Sequence, residues 1–187
     1  KINNEAPAPT SDDIVNAIVE NGKISFAPTF YVKTEQATQD FAVFSISGAS
    51  VNGLNSDGTE AVTDYRFDGL HLEAASENLT ILSATNLVNP TALERKEYTL
   101  PVLGENRDRA SFDFSDTNGF EMLFTIKDAA KPAKMTLVFS YDIKAATPLN
   151  FTELKGEILQ LEVELSFSGG TLNPTYTAVK ANVQEQE

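Results

Sequence analysis

Residues 158–168 read Ile-Leu-Gln-Leu-Glu-Val-Glu-Leu-Ser-Phe-Ser, and their alternation decides the fold class. Leu159, Leu161, Val163, Leu165 and Phe167 fall on one parity, and Gln160, Glu162, Glu164, Ser166 and Ser168 on the other. In a strand successive side chains point to opposite faces, so this segment has one apolar face and one polar face. A strand buried on one side only belongs to an antiparallel sheet, since parallel sheets are covered by helices on both faces.

The same period recurs upstream. Met135, Leu137, Phe139, Tyr141 and Ile143 alternate with Thr136, Val138, Ser140 and Asp142, and Phe120, Met122, Phe124 and Ile126 with Glu121, Leu123 and Thr125. Weaker strands are expected at 24–32, 41–47, 62–67, 70–74, 79–83, 98–103, 111–114 and 176–183, which makes about eleven in all. Turn clusters separate them, among them Asn52-Gly53, Asn55-Ser56-Asp57-Gly58, Asp116-Thr117-Asn118-Gly119 and Gly169-Gly170. Pro28 and Pro101 fall inside strands and Pro174 near the start of another, and they mark edges or bulges because proline cannot donate to a ladder. Residues 98–103 are the expected edge. The fold class is therefore all-β, an antiparallel β-sandwich of Greek-key, immunoglobulin-like or jelly-roll-like type.

Helix signals are few. Thr10-Ser11-Asp12-Asp13 resembles a capping box, Ile14, Val15, Ile18 and Val19 fall on one helical face, and Gly22 would stop the helix. A short N-terminal helix is the expectation, with a strand as the alternative because the run is β-branched. Asn89-Pro90 opens a possible helical turn through Lys96. Residues 1–13 carry two X-Pro steps and almost no large apolar residue, and read as a flexible tether before a single domain at 14–187.

Composition narrows the function. In 187 residues, 27 Asp and Glu stand against 14 Lys and Arg, and the net charge of −13 repels nucleic acid. There is no Cys, no Trp and one His, which removes thiolate chemistry and His-clustered zinc. No apolar run approaches the roughly 20 residues of a transmembrane helix. The tether and the acidic, Asn- and Thr-rich composition suggest an exported protein, extracellular or at a cell surface, whose signal sequence is not part of this chain.

Candidate chemistry is sparse. His71 has no nucleophile-elbow motif to serve, and a surface histidine is the simpler reading. Asp113, Asp116, Asn118 and Glu121 contain a fragment of a calcium loop, as more weakly do Asn55, Asp57 and Glu60, but a hairpin turn needs the same residues. No other cofactor is implied. Glu162 and Glu164 stand about 7 Å apart on one strand face, a spacing a glycosidase would accept and a solvated face also produces. Arg95, Lys96, Arg107 and Arg109 are interleaved with acids. The sequons at Asn78 and Asn150 are short enough to arise by chance.

What remains is a non-catalytic structural or adhesive protein, in general manner similar to fimbrial or filament subunits, acting through protein partners or self-assembly. Surface glycans and a place in a viral tail or capsid are the alternatives. Ile14, Val15, Ile18 and Val19 are the assembly candidates, as an arm that donates a strand to a neighbour's sheet edge. Leu161→Ala or Phe139→Ala is expected to cost roughly 2–5 kcal/mol and Glu162→Ala almost nothing. Chemical denaturation of the three variants measures this, and equal losses at Leu161 and Glu162 would reverse the face assignment.

Overall fold

The computed structural model describes residues 1–2, 14–33, 39–54, 65–87, 102–103, 105–113, 119–145, 158–167, 170–172 and 175–183. These hold thirteen strands: β1 (Ile14–Glu20), β2 (Lys23–Phe26), β3 (Thr29–Val32), β4 (Ala42–Leu54), β5 (Tyr65–Glu77), β6 (Leu79–Leu87), β7 (Val102–Leu103), β8 (Arg109–Asp113), β9 (Gly119–Ile126), β10 (Ala133–Ala145), β11 (Ile158–Phe167), β12 (Gly170–Leu172) and β13 (Thr175–Val183). They form one hydrogen-bonded path, β6-β9-β4-β11-β13-β1-β2-β10-β5-β8-β7, with β12 on β11 and β3 on β10. Every pairing is antiparallel except β1 with β13.

The path must fold back on itself. β6 ends the path and β5 lies near its other end, yet only Asn78 separates them in sequence. The result is two layers around one core, β6-β9-β4-β11 against β2-β10-β5-β8, with β13 and β1 carrying the path between them. Phe112 of β8 stacks on Phe120 of β9 across the core, with ring centroids 3.8 Å apart. The alternation read from the sequence holds: Leu159, Leu161, Val163, Leu165 and Phe167 are buried, and Glu162 and Glu164 exposed. Without tryptophan, phenylalanine fills the interior, and Phe26, Phe30, Phe44, Phe112, Phe120, Phe124, Phe139 and Phe167 are fully buried. Each contributes about 1.5–3 kcal/mol of burial.

The expected N-terminal helix is a strand. β1 runs between β13 and β2, and Asn21 (φ 54°) with Gly22 (φ 73°) forms its two-residue link to β2. Two successive positive φ angles are the signature of a type I′ hairpin turn, for which Asn-Gly is the preferred pair. Gly22 is thus a hairpin residue and not a helix stop. Ala17 and Val19 face the core and Ile18 faces out, so an alanine supplies the alternation that the apolar pattern hid. Residues 3–13, most of the expected tether, lie outside the described residues, whereas Ile2 is buried and its N–H donates to the Gln39 carbonyl at 3.0 Å. The helical turn expected at 89–96 also lies outside them.

Other boundaries moved for local reasons. Pro28 splits residues 24–32 into β2 and β3, both paired to β10, and the Pro28 carbonyl accepts from Leu137 N–H at 2.9 Å. Asn52-Gly53 is no turn, because the long partner β11 continues the ladder through Asn52↔Gln160 and Gly53↔Leu159. The strands expected at 62–67 and 70–74 join, from Tyr65 onward, into one continuous β5, whose Gly69 (φ 65°) sits at a bulge opposite Tyr141. A Cβ there would meet an Asp142 oxygen at 2.9 Å, and glycine takes that φ without strain. Val102–Leu103 ends the path, as the edge expected at 98–103.

Asn78 stitches the two crossings between layers, β5 to β6 and β9 to β10. It holds a left-handed φ of 64°, which asparagine tolerates better than other side chains. Its Nδ2 donates to the carbonyls of Asp128 (2.8 Å), Lys131 (3.0 Å) and Pro132 (3.3 Å), and its Oδ1 accepts from Asp128 N–H at 2.9 Å. Asn78→Gly keeps the backbone and removes every one of these bonds. It is expected to lose about 2–4 kcal/mol, a few net hydrogen bonds at about 1 kcal/mol each, with Asn78→Ala losing more through φ strain. A denaturation series measures both, and a neutral glycine variant would show that the side chain does not hold the corner.

Candidate functional site

The second layer turns a largely polar face to solvent, assembled from one parity of each strand. Ser25, Ser140, His71 and Asp113 form one cross-strand row over β2, β10, β5 and β8. Val138, Glu73 and Ser111 form the next. Here the chain's single histidine acquires partners that its sequence gave no hint of. Ser111 Oγ lies 3.1 Å from His71 Nε2, and Glu73 Oε1 lies 3.6 Å from the same nitrogen. In a serine–histidine relay the acid holds Nδ1, leaving Nε2 to take the hydroxyl proton. Carboxylate and hydroxyl instead converge on one nitrogen, on a face where the Glu73 side chain is 64% exposed. An exposed pair of this kind adds about 0–1 kcal/mol and no nucleophile.

Charge pairs line other parts of that face. Lys134 sits between Tyr31 and Glu77 across β3, β10 and β5, and its Nζ lies 3.1 Å from Glu77 Oε2. The hydrogen bond to that carboxylate, and then its charge, hold the ammonium above the usual lysine value. Lys23 reaches Asp142 at 3.6 Å and Arg66 reaches Asp68 at 2.8 Å. Thr29 and Thr136 share a hydroxyl–hydroxyl bond of 3.0 Å.

Of the calcium candidates, Asp113 is exposed on β8 and Glu121 half-buried on β9, where its Oε2 accepts from Ser45 Oγ at 3.4 Å. Asp116 and Asn118 lie outside the described residues, as do Asn55, Asp57 and Glu60. Among the described residues no three His, Cys, Asp or Glu gather where a metal ion would need them. The assembly candidates share one strand: Val19 is buried, Ile18 is exposed, and Ile14 and Val15 pair with Ala178 and Val179 of β13. Arg107 caps the bulge of β6, accepting from Ile81 N–H at 2.7 Å and donating from Nη1 to the Leu82 carbonyl at 3.0 Å. Arg109 is exposed on β8, and Arg95 and Lys96 fall outside the described residues. The Asn78 amide of the first sequon is engaged in the corner described above.

Large apolar side chains reach solvent at Ile18, Tyr31, Phe41 and Leu82. Leu123 and Val138, half-buried, occupy the polar parity of their strands. No described helix is long and apolar enough to cross a membrane.

Beneath the polar face, Tyr141 is buried with its ring edge-on to Phe26, and its hydroxyl finds no partner among the described residues. Burial holds its phenol well above the usual tyrosine value. An unfolded tyrosine ionises near pH 10 and the folded one only above that. The native state therefore keeps its full stability below about pH 10 and loses it as pH climbs toward the folded value. Tyr141→Phe is expected to gain about 1 kcal/mol at pH 7 by removing an unsatisfied hydroxyl and to flatten the alkaline decline. Urea midpoints at pH 7 and pH 11 measure both effects, and a loss at pH 7 would reveal a partner for the hydroxyl.

No protein-family model matches the sequence, and no curated protein is significantly similar to it. Two solved structures show a distant likeness. One is the collagen-binding subdomain of the Enterococcus faecalis surface protein ACE, with 10% identity, 95% of this chain and 97% of that one covered, and a TM-score of 0.28. The other is the collagen-binding domain of a Staphylococcus aureus adhesin, with 6% identity, 89% and 95% covered, and a TM-score of 0.25. At these TM-scores the likeness bears on neither fold nor function.

Proposed function

We propose that this is a non-catalytic structural or adhesive protein of the cell exterior that works by binding other proteins, as an adhesive module or a fimbrial-type subunit. The observation that carries this reading is the set of large apolar side chains, Ile18, Tyr31, Phe41 and Leu82, displayed on strands and strand ends of an otherwise acidic exterior. Apolar surface rimmed by polar groups marks protein contact more often than chemistry. Strand edges add to it: among the described residues β3 pairs only with β10 and β7 only with β8. Each edge offers backbone donors and acceptors to an extended partner. The His71–Ser111–Glu73 geometry supports the absence of catalysis, since it lacks the order of a relay.

Cross-linking on intact cells that produce the protein, followed by native sizing, tests the reading. The expected result is a surface-exposed complex with protein, and no modification of Ser111 by a fluorophosphonate reagent. A lone monomer that binds a glycan tightly would replace it with a glycan-binding module. Fluorophosphonate labelling at Ser111 that vanishes in His71→Ala would make the protein a hydrolase.

A further inference from the structure

On the outer face of the first layer, apolar side chains fall at neighbouring register positions of β4, β9 and β6. Val43 of β4 lies directly opposite Leu123 of β9, and Leu123 opposite Ser83 of β6. Such opposed side chains stand about 5 Å apart at Cβ. Phe41, two residues before Val43, is 49% exposed, and Leu82, beside Ser83, is 42% exposed. Leu82 is the extra residue of a bulge: pairing passes from Ile81↔Phe124 to Ser83↔Leu123, which leaves Leu82 without an opposite number. Bulges re-aim side chains, and this one turns Leu82 outward next to Leu123 while Arg107 bonds its carbonyl. Thr80 and Thr125, paired across β6 and β9, border the patch.

Acid lies along one flank. Glu121 follows Leu123 by one strand repeat, about 7 Å, and stands in a row with Ser45 of β4 and Ser166 of β11. Glu164 and Glu162 continue along the exposed side of β11, while Asp40 lies at the other end, beyond Phe41. The chain as a whole carries −13, so a second copy brought to this face would meet its own charge. A small cation would leave the apolar half uncovered.

We propose that this face docks an extended, cationic segment of a different protein, one side of which presents apolar residues followed by lysine or arginine. The apolar side chains cover Phe41, Val43, Leu82 and Leu123, and the cations lie over Glu121, Glu164 and Glu162. The proposal rests on the protein-binding reading above and gives it a surface and a partner chemistry.

The test uses a synthetic heptapeptide, Phe-Ser-Val-Ser-Lys-Ser-Lys, whose odd positions share one face when extended. Its counterparts carry Glu for Lys, or Ser for Phe and Val. Titration into the isotope-labelled full chain is followed by amide chemical shifts at near-physiological salt. Shifts confined to β4, β6, β9 and β11 are expected, with both counterparts failing to reproduce them. Leu82→Ser with Phe41→Ser should weaken binding at least about fivefold, the equivalent of roughly 1 kcal/mol, and Lys144→Ser, exposed on β10 in the other layer, should not. Unchanged melting of each variant confirms that the fold is intact. Shifts spread over the whole surface, equal binding of the Glu peptide, or indifference to the double variant would overturn the proposal. A map confined to another face would overturn it too, yet leave the protein-binding reading standing. A chain that ignores all three peptides overturns the proposal, and if it is also a lone glycan-binding monomer on cells the protein-binding reading falls with it.

Discussion

A single side chain sets where the two layers meet. Asn78 must pass the chain from β5, near one end of the sheet path, to β6 at the other, within one residue. Its left-handed backbone makes the reversal, and its amide fastens the reversal to Asp128, Lys131 and Pro132 in the neighbouring crossing. The Asp128 carboxylate tightens that crossing by accepting from Ala130 N–H at 3.0 Å. The turn at 105–108 fastens the corner from outside: Ser76 N–H and Oγ both donate to the Asp108 carbonyl, and Ile81 N–H to that of Arg107. Fixing these crossings aligns the layers so that Phe112 meets Phe120, and it also sets which residues of β6 and β9 face out together.

Much of this was legible because alternation is a local property. The parity of β9, β10 and β11 could be read one strand at a time, and each buried the side that its sequence indicated. β1 was misread because two signals coincide there: Asn-Gly after a β-branched run both ends a helix and turns a hairpin. Its neighbours decide the matter, and β13 lies almost the whole chain away. The Asn52-Gly53 error is the same problem in reverse, since a long partner strand overrode a local turn preference.

The candidate sites were less legible because each is made by register between strands distant in sequence. Nothing near His71 names Ser111 as its neighbour, and Glu73 two residues away gives no clue that it would approach the same ring nitrogen. The apolar patch depends on a bulge that turns Leu82 outward and on the pairing of Val43 with Leu123. Leu123, apolar on a polar parity, was the one visible trace of it.

The parallel pairing of β1 with β13 governs how the molecule can come into being. Every other strand finds a partner by antiparallel return, but β1 waits on one side until residues 175–183 exist. Loop-closure entropy must be met before that contact gives anything back, and topologies dominated by such distant pairings fold in milliseconds to seconds. Until then the β1–β2 hairpin leaves an open edge, and β11 has yet to gain β13. The joint between the layers thus draws on strands from opposite ends of the described order, and neither half of the sequence holds it alone.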